Sequence, residues 1–315
     1  MDTNAAAKNE SIIDKLTRRI AELRSPIVVG LDTTLEMIPV NLKASMYREF
    51  GVTPRAVSEI LINYNRLIID GICDLVPAVK PQIAMYEKYG LDGIVAYMKT
   101  IEYAHKRGMI VIGDIKRGDI SSTAEAYAAH LDGVDIDGEY FDPWQEDMIT
   151  VNPYFGSDGI RPFTAACERT GKGIFILTKT SNPGSSELQD LALESGAPVY
   201  LQVARLVVEW GRDLIGDCGF GNVGIVVGAT HPGVGRRLRE EFPALFFLVP
   251  GYGAQGAKAE DLRGFFDMDG RGCIVNSSRG IITAWQKENS FGLGNVGDAA
   301  RAAVIKMISE LDFLK

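Results

Sequence analysis

Met109-Ile-Val-Ile-Gly-Asp-Ile-Lys-Arg-Gly-Asp-Ile120 is the stretch from which the fold can be read. It opens with four consecutive apolar residues, three of them β-branched, and ends in charge. Unbroken apolarity over so short a run suits a strand buried on both faces, as in a parallel sheet. Seven further runs have the same character: Ile27–Leu31, Leu75–Val79, Met148–Val151, Ile174–Leu177, Val223–Val227, Leu245–Val249 and Cys273–Val275. Helix-compatible sequence lies between most of them, most clearly at Arg55–Asp74, Leu91–Arg107, Ala124–His130, Val199–Ile215 and Ala259–Phe266. Ser11–Arg24 reads as an amphipathic helix ahead of the first run, and Gly297–Leu314 as a closing one. Eight strand-helix units predict an α/β fold, a single (β/α)8 TIM barrel over residues 1–315 with an N-terminal helix and a flexible tail over residues 1–10. A doubly wound sheet needs about five or six strands and would leave two runs unplaced. Two connections, Asp32–Arg55 and Leu131–Asp147, are long enough to be inserted loops.

The composition excludes several classes. With 315 residues, 46% of them hydrophobic and 23% charged, the chain is neither disordered nor dependent on disulfide staples. Thirty-three basic against 41 acidic residues leave a net charge of −8, which argues against nucleic-acid or anionic-membrane binding but allows a local cationic pocket. Cys73, Cys167, Cys218 and Cys273 form no Cys-x-x-Cys pair and read as buried thiols of a reducing compartment. No signal peptide or membrane span is evident, so the expected location is the cytoplasm.

The residues at the ends of the strand runs carry the chemistry. Asp114 and Lys116 are two apart and are expected on one strand face, which in a barrel points inward at the catalytic mouth. Lys80 ends the second run and Asp32 follows the first. Ionised groups pointing into a barrel are costly unless paired or used, so a structural ion pair is the competing reading. Gly251-Tyr-Gly-Ala-Gln-Gly256 follows the seventh run, but no acidic residue ends the next run, which disfavours a dinucleotide. Its backbone amides suit one phosphate instead, with Arg279 in the following loop as a second anchor. Thr180-Ser-Asn-Pro-Gly-Ser-Ser186 offers polar groups for a heterocycle edge. His105, His130 and His231 lack paired metal-ligand spacing, and no hydrolase elbow, Walker A or zinc-protease motif is present.

Asp114-x-Lys116-x-x-Asp119, with Lys80 on the preceding strand, resembles the orotidine 5′-phosphate decarboxylase family. The runs Lys80-Pro-Gln82, Asp114-Ile-Lys-Arg-Gly-Asp-Ile-Ser-Ser-Thr123, Thr180-Ser-Asn-Pro183, Val249-Pro-Gly251 and Asn276-Ser-Ser-Arg279 are similar to its longer, bacterial-type branch. The resemblance implies a carboxy-lyase that converts orotidine 5′-monophosphate (OMP) to uridine 5′-monophosphate (UMP) with no metal or organic cofactor, as a homodimer. It implies Lys116 as proton donor, Asp114 beside the departing carboxylate, Lys80 within the charged array, and Asp119 reaching the partner's site. Asp32 and Thr123 would meet ribose, Thr123 also from the partner. Ser181 would meet the pyrimidine, and Gly253, Gln255 and Arg279 the phosphate. Two readings compete: a Mg²⁺-dependent sugar-phosphate decarboxylase or aldolase of the same superfamily, and a catalytically silent UMP-binding barrel.

Overall fold

The computed structural model describes residues 10–253, 256–287 and 295–311. The tail expected to be flexible lies outside these residues except for Glu10. Eight parallel strands close a barrel: β1 (Ile27–Leu31), β2 (Ala78–Pro81), β3 (Ile110–Arg117), β4 (Met148–Val151), β5 (Gly173–Lys179), β6 (Val223–Val227), β7 (Phe247–Val249) and β8 (Cys273–Ser277). Each pairs with its neighbour in sequence, and β8 returns to β1. The outer helices include α1 (Ile12–Leu23), α2 (Val40–Phe50), α3 (Pro54–Ile72), α4 (Leu91–Lys106), α5 (Ser121–Asp132), α6 (Gly156–Thr170), α7 (Val199–Trp210), α8 (Pro232–Glu241) and α9 (Val296–Glu310).

The continuous apolar runs have two destinations. One alternate set, including Val29, Val79, Val111, Ile149, Ile176, Ile225 and Val275, packs outward against the helices. The other set, including Val28, Ala78, Ile110, Ile112, Met148, Phe175, Val226, Leu248 and Ile274, fills the barrel interior. Period-two geometry therefore makes both faces apolar. Ile12, Ile13 and Leu16 of α1 join the interior cluster with Phe220 and Phe246, closing the N-terminal end of the barrel. Asn222 clamps that helix: its Oδ1 accepts from Ser11 Oγ at 2.7 Å and from Ile13 N at 3.1 Å. Burial of each such aliphatic side chain contributes about 1.5–3 kcal/mol.

Several expectations need correction. The connection Asp32–Arg55 contains α2, and Leu131–Asp147 contains an antiparallel hairpin of Val134–Ile136 with Glu139–Phe141. Helices α6 and α8 had no sequence-level counterpart: α6 carries Pro162 within it, and α8 is glycine-rich and strongly charged. Ala259–Phe265 is a 3-10 helix, tighter than expected, while α5 begins earlier, at Ser121. All four cysteines are free, but only Cys167 and Cys273 are buried; Cys73 and Cys218 are partly exposed.

Candidate active site

The interior columns change character at the C-terminal ends of the strands. Two residues beyond Ala78 stands Lys80, two beyond Ile112 stands Asp114, and two beyond Met148 stands Thr150. Alternation thus delivers polar groups to the topmost layer of a core that is apolar below. Lys80 Nζ lies 2.6 Å from Asp114 Oδ2 and 3.9 Å from Asp32 Oδ1. Lys116 Nζ bonds Asp114 Oδ1, and the Thr150 hydroxyl donates to the same oxygen at 2.9 Å. Lys80 and Asp114 side chains are only 5% and 10% exposed, whereas that of Lys116 is 44% exposed.

Asp114 and Lys116 meet as expected, but not through regular pleating. The β3–β4 register shifts between Gly113 and Arg117, and Lys116 adopts a left-handed backbone at φ 48°. That conformation costs a non-glycine residue about 1–2 kcal/mol. The Lys116 amide donates to Thr150 Oγ1 at 3.0 Å, which holds the turn. Strain of this kind at a charged mouth is the pattern of a functional site.

Burial acts most strongly on the Asp114 carboxyl and opposes its ionisation. The charges of Lys80 and Lys116, with their hydrogen bonds, overcome it and hold the group well below the usual carboxylate range. Burial likewise disfavours the Lys80 ammonium, but Asp114 and Asp32 outweigh it and raise its pKa. Both groups are therefore charged at neutral pH.

The array forms one wall of a cleft of about 440 Å³. The opposite wall is neutral: Leu177, Thr180, Ser181, Asn182, Gln189, Val226, Leu248 and Pro250. Apolar surface with a few polar edge groups facing a charged pole suits a flat, polar ring carrying an anionic substituent.

The sequence-derived candidates divide accordingly. Lys80, Asp114, Lys116 and Ser181 line the cleft, and Asp32, outside the lining, lies 3.9 Å from Lys80 Nζ. Asp119, Thr123, Gly253 and Arg279 do not line it. Asp119 Oδ1 caps the Ile120 amide at 2.7 Å, Thr123 is exposed on α5, Gly253 is exposed in a turn at φ 71°, and Arg279 is exposed at the start of the short helix Arg279–Ile282. Gln255 lies outside the described residues. His231 does not line the cleft; its Nε2–H donates to the Thr180 carbonyl at 3.1 Å.

Thr150 and Gln189 are site residues that sequence reading missed. Thr150 could have been found by counting two residues on from Met148. A buried group behind β3 was also missed. Glu146, fully buried, accepts from the Tyr97 hydroxyl and pairs with His130 Nδ1 at 2.6 Å, while His130 stacks on Trp144 with ring centroids 4.1 Å apart. A side chain at Gly113 would place its Cβ 2.1 Å from Glu146 Oε1, so only glycine allows this close backing of the Asp114 strand. Burial, then the Glu146 charge, pushes the Tyr97 hydroxyl pKa far up, so Tyr97 remains a donor.

A closed (β/α)8 barrel with a strained, fully paired Lys–Asp–Lys array at its C-terminal mouth defines an enzyme of the barrel class. The model of the orotidine 5′-phosphate decarboxylase / HUMPS family matches residues 26–290. An orotidine 5′-phosphate decarboxylase of Clostridium tetani is 40% identical over 301 residues, covering 95% of this chain and 97% of its own. One from Petrotoga mobilis is 42% identical over 302 residues, covering 95% and 98%. A solved structure titled as a putative orotidine-monophosphate-decarboxylase from Toxoplasma gondii is 30% identical with a TM-score of 0.74, covering 96% of this chain and 98% of that one. The chain belongs to the orotidine 5′-phosphate decarboxylase family and, with these relatives, to the carboxy-lyases.

Proposed function

We propose that this chain decarboxylates OMP to UMP and CO2 in pyrimidine biosynthesis, with Lys116 as the proton donor. The observation that carries the reading is the Lys80–Asp114–Lys116 array, charged and paired, facing a neutral cleft. Breaking the bond between the ring carbon and its carboxylate leaves the electron pair in the ring plane, where the π system cannot take it up. The Lys116 ammonium, the most exposed member of the array, stabilises that pair and then transfers a proton to the carbon; solvent reprotonates the amine. Lys80 keeps Asp114 ionised and in place.

Asp114 beside a substrate carboxylate repels the ground state. At about 4 Å and an effective dielectric of about 20, one like-charge contact is worth roughly 4 kcal/mol. Enzymic accelerations require up to about 23 kcal/mol, so repulsion is a minor contributor beside stabilisation of the carbanion. The remaining roles follow the family pattern. Ser181 meets the pyrimidine edge, Asp32 meets the ribose, and Gly253, Gln255 and Arg279 hold the phosphate, whose binding drives closure and orientation. Asp119, half-buried, and Thr123, exposed, both lie outside this chain's own cleft and serve the site of a second copy in a homodimer. The chain acts as one barrel unit, without metal or organic cofactor, in the cytoplasm. Among the described residues no helix is long and apolar enough to cross a membrane.

Loss of OMP absorbance in the presence of EDTA tests the reading. Wild-type turnover that Lys116→Ala nearly abolishes is expected. Absence of wild-type turnover overturns it, and activity on sugar phosphates restored by Mg²⁺ would establish the metal-dependent alternative.

A further inference from the structure

The neutral wall of the cleft is held by a set of contacts that the proposed chemistry does not use. Lys179, at the end of β5, is 1% exposed, yet it is not among the residues that line the cleft. Its Nζ reaches Asp190 Oδ1 at 2.7 Å, across the segment that contains Thr180, Ser181 and Asn182. Gln189, next to Asp190, closes the same loop from inside the cleft. Its Oε1 accepts from the Thr180 amide at 2.9 Å, and its Nε2 donates to Thr180 Oγ1 at 2.9 Å. The backbone donor fixes the orientation of the Gln189 amide, so Thr180 Oγ1 accepts from Gln189 and gives its own proton to Asn182 Oδ1 at 2.7 Å.

The far side of the segment is tied as well. His231 Nε2 donates to the Thr180 carbonyl at 3.1 Å, and Thr230 Oγ1 to the Ser181 carbonyl at 3.2 Å. A Cβ at Gly228 would lie 2.7 Å from Ser181 Cα, so β6 meets Ser181 only because that position has no side chain. Both carbonyls and the Thr180 hydroxyl are thereby committed, and the Ser181 side chain is left toward the cleft.

We propose that Asp190 and Gln189, acting with buried Lys179, are positioning residues that preset the Thr180–Ser181 edge for the ring of the nucleotide. The inference rests on the nucleotide reading given above and names the part of the ligand that this wall recognises. Two anchors act in series: the Lys179–Asp190 ion pair spans the loop, and the Gln189 amide fixes its first residue. A buried ammonium tied to one carboxylate makes a stiff anchor, because releasing it strands the charge away from water. Preorganisation of this kind removes the ordering cost from binding. It should therefore act on ligands that carry the ring and leave unaffected those that lack it.

Calorimetric titration of the full-length protein with UMP and with ribose 5-phosphate, beside OMP turnover, tests this. Asp190→Ala is expected to weaken UMP about tenfold and ribose 5-phosphate less than twofold. Asp190→Asn, which keeps an acceptor for Lys179, is expected to restore most of the UMP affinity. Should Asp190→Ala fail to fold because Lys179 is left unpaired, the double variant Lys179→Met/Asp190→Leu removes both charges, and the same selective loss is expected. Equal weakening of both ligands, or none for either, in a wild-type-active protein overturns the positioning role alone. A wild-type protein that neither turns over OMP nor binds either ligand overturns the nucleotide reading, and the positioning role with it.

Discussion

The two ends of the barrel are built on the same alternating columns and put them to opposite uses. At the N-terminal end, Val28, Ala78, Ile110 and Phe246 meet Ile12, Ile13 and Leu16 of α1 in an apolar plug. At the C-terminal end the columns continue into Lys80, Asp114 and Thr150, where burial is offset only by mutual pairing. The base has a hollow of its own, about 290 Å³, between α1, the last turn of α9 and the loop before β8. Three charged residues, Arg24, Asp269 and Arg271, stand among its lining, and Arg271 pairs with Asp269 at 2.9 Å. The apolar end contributes stability, whereas the polar end carries desolvation and backbone strain in return for chemistry. If that division holds, substitutions at the two ends should move different observables.

Lys116→Ala is the most severe test. Loss of both the proton donor and its electrostatic stabilisation should lower the rate of OMP decarboxylation by more than about 10³-fold. The melting temperature should change little, because Lys116 is partly exposed and Asp114 keeps Lys80. A large fall in melting temperature with residual activity would break the division, since the mouth would then be holding the fold together.

At the base the expectation is reversed. Leu16 is fully buried in α1, and Leu16→Ala should destabilise the protein by about 2–5 kcal/mol in urea unfolding. Under conditions where the variant is folded, KM and kcat for OMP should stay within about twofold of wild type. A matching loss of activity would mean that the plug transmits its packing to the mouth, across a core that would then have to shift as one body.

How far each end was legible in the sequence follows from the same physics. The strands were readable because a barrel strand is apolar on both faces, and Ile27–Leu31, Met148–Val151 and Val223–Val227 begin and end where the runs do. The apolar face of α1 was readable from the spacing of Ile12, Ile13 and Leu16, but not its place against the end of the barrel, which depends on Phe220 and Phe246 far along the chain. Asp114, Lys116 and Lys80 stood out because charge at the end of an apolar run is unusual. The left-handed turn at Lys116 was not readable, since it depends on Thr150 from the next strand. Glu146 was passed over because its burial is set by Tyr97 and His130, which lie on two other elements. Helix α8 escaped because its single apolar contact row, around Leu238, is interrupted by glycine and arginine. Its buried Arg239 is instead satisfied by backbone carbonyls of Phe265, Pro243, Leu245 and Gly272.

A smaller effect separates the two ends by pH. The folded state depresses the pKa of Asp114, so its contribution to stability is present above the unfolded value near 4 and is lost as pH falls through the folded value. Unfolding free energy of the wild type should therefore decline more steeply between about pH 5 and pH 3 than that of Asp114→Asn. Leu16→Ala should run parallel to wild type over the same range, offset downward, because the group removed is apolar and carries no proton. Parallel curves for wild type and Asp114→Asn would place the acid-labile charge elsewhere in the molecule.

The smallest expected effect lies on the outer face of the plug. Arg18 on α1 pairs with Glu10 and lies 3.7 Å from Glu22, all about half-exposed. Solvent screening leaves such exposed pairs little net worth, so Arg18→Ala should shift the urea midpoint by little and the kinetics not at all. The useful control is its contrast with Leu16 two residues earlier on the same helix. If α1 stabilises the barrel through its buried face, the two variants should differ by several-fold in unfolding free energy. Equal losses would mean that the helix is held by its surface charges, and raising salt to about 1 M, where the screening length falls to about 3 Å, would then loosen the plug.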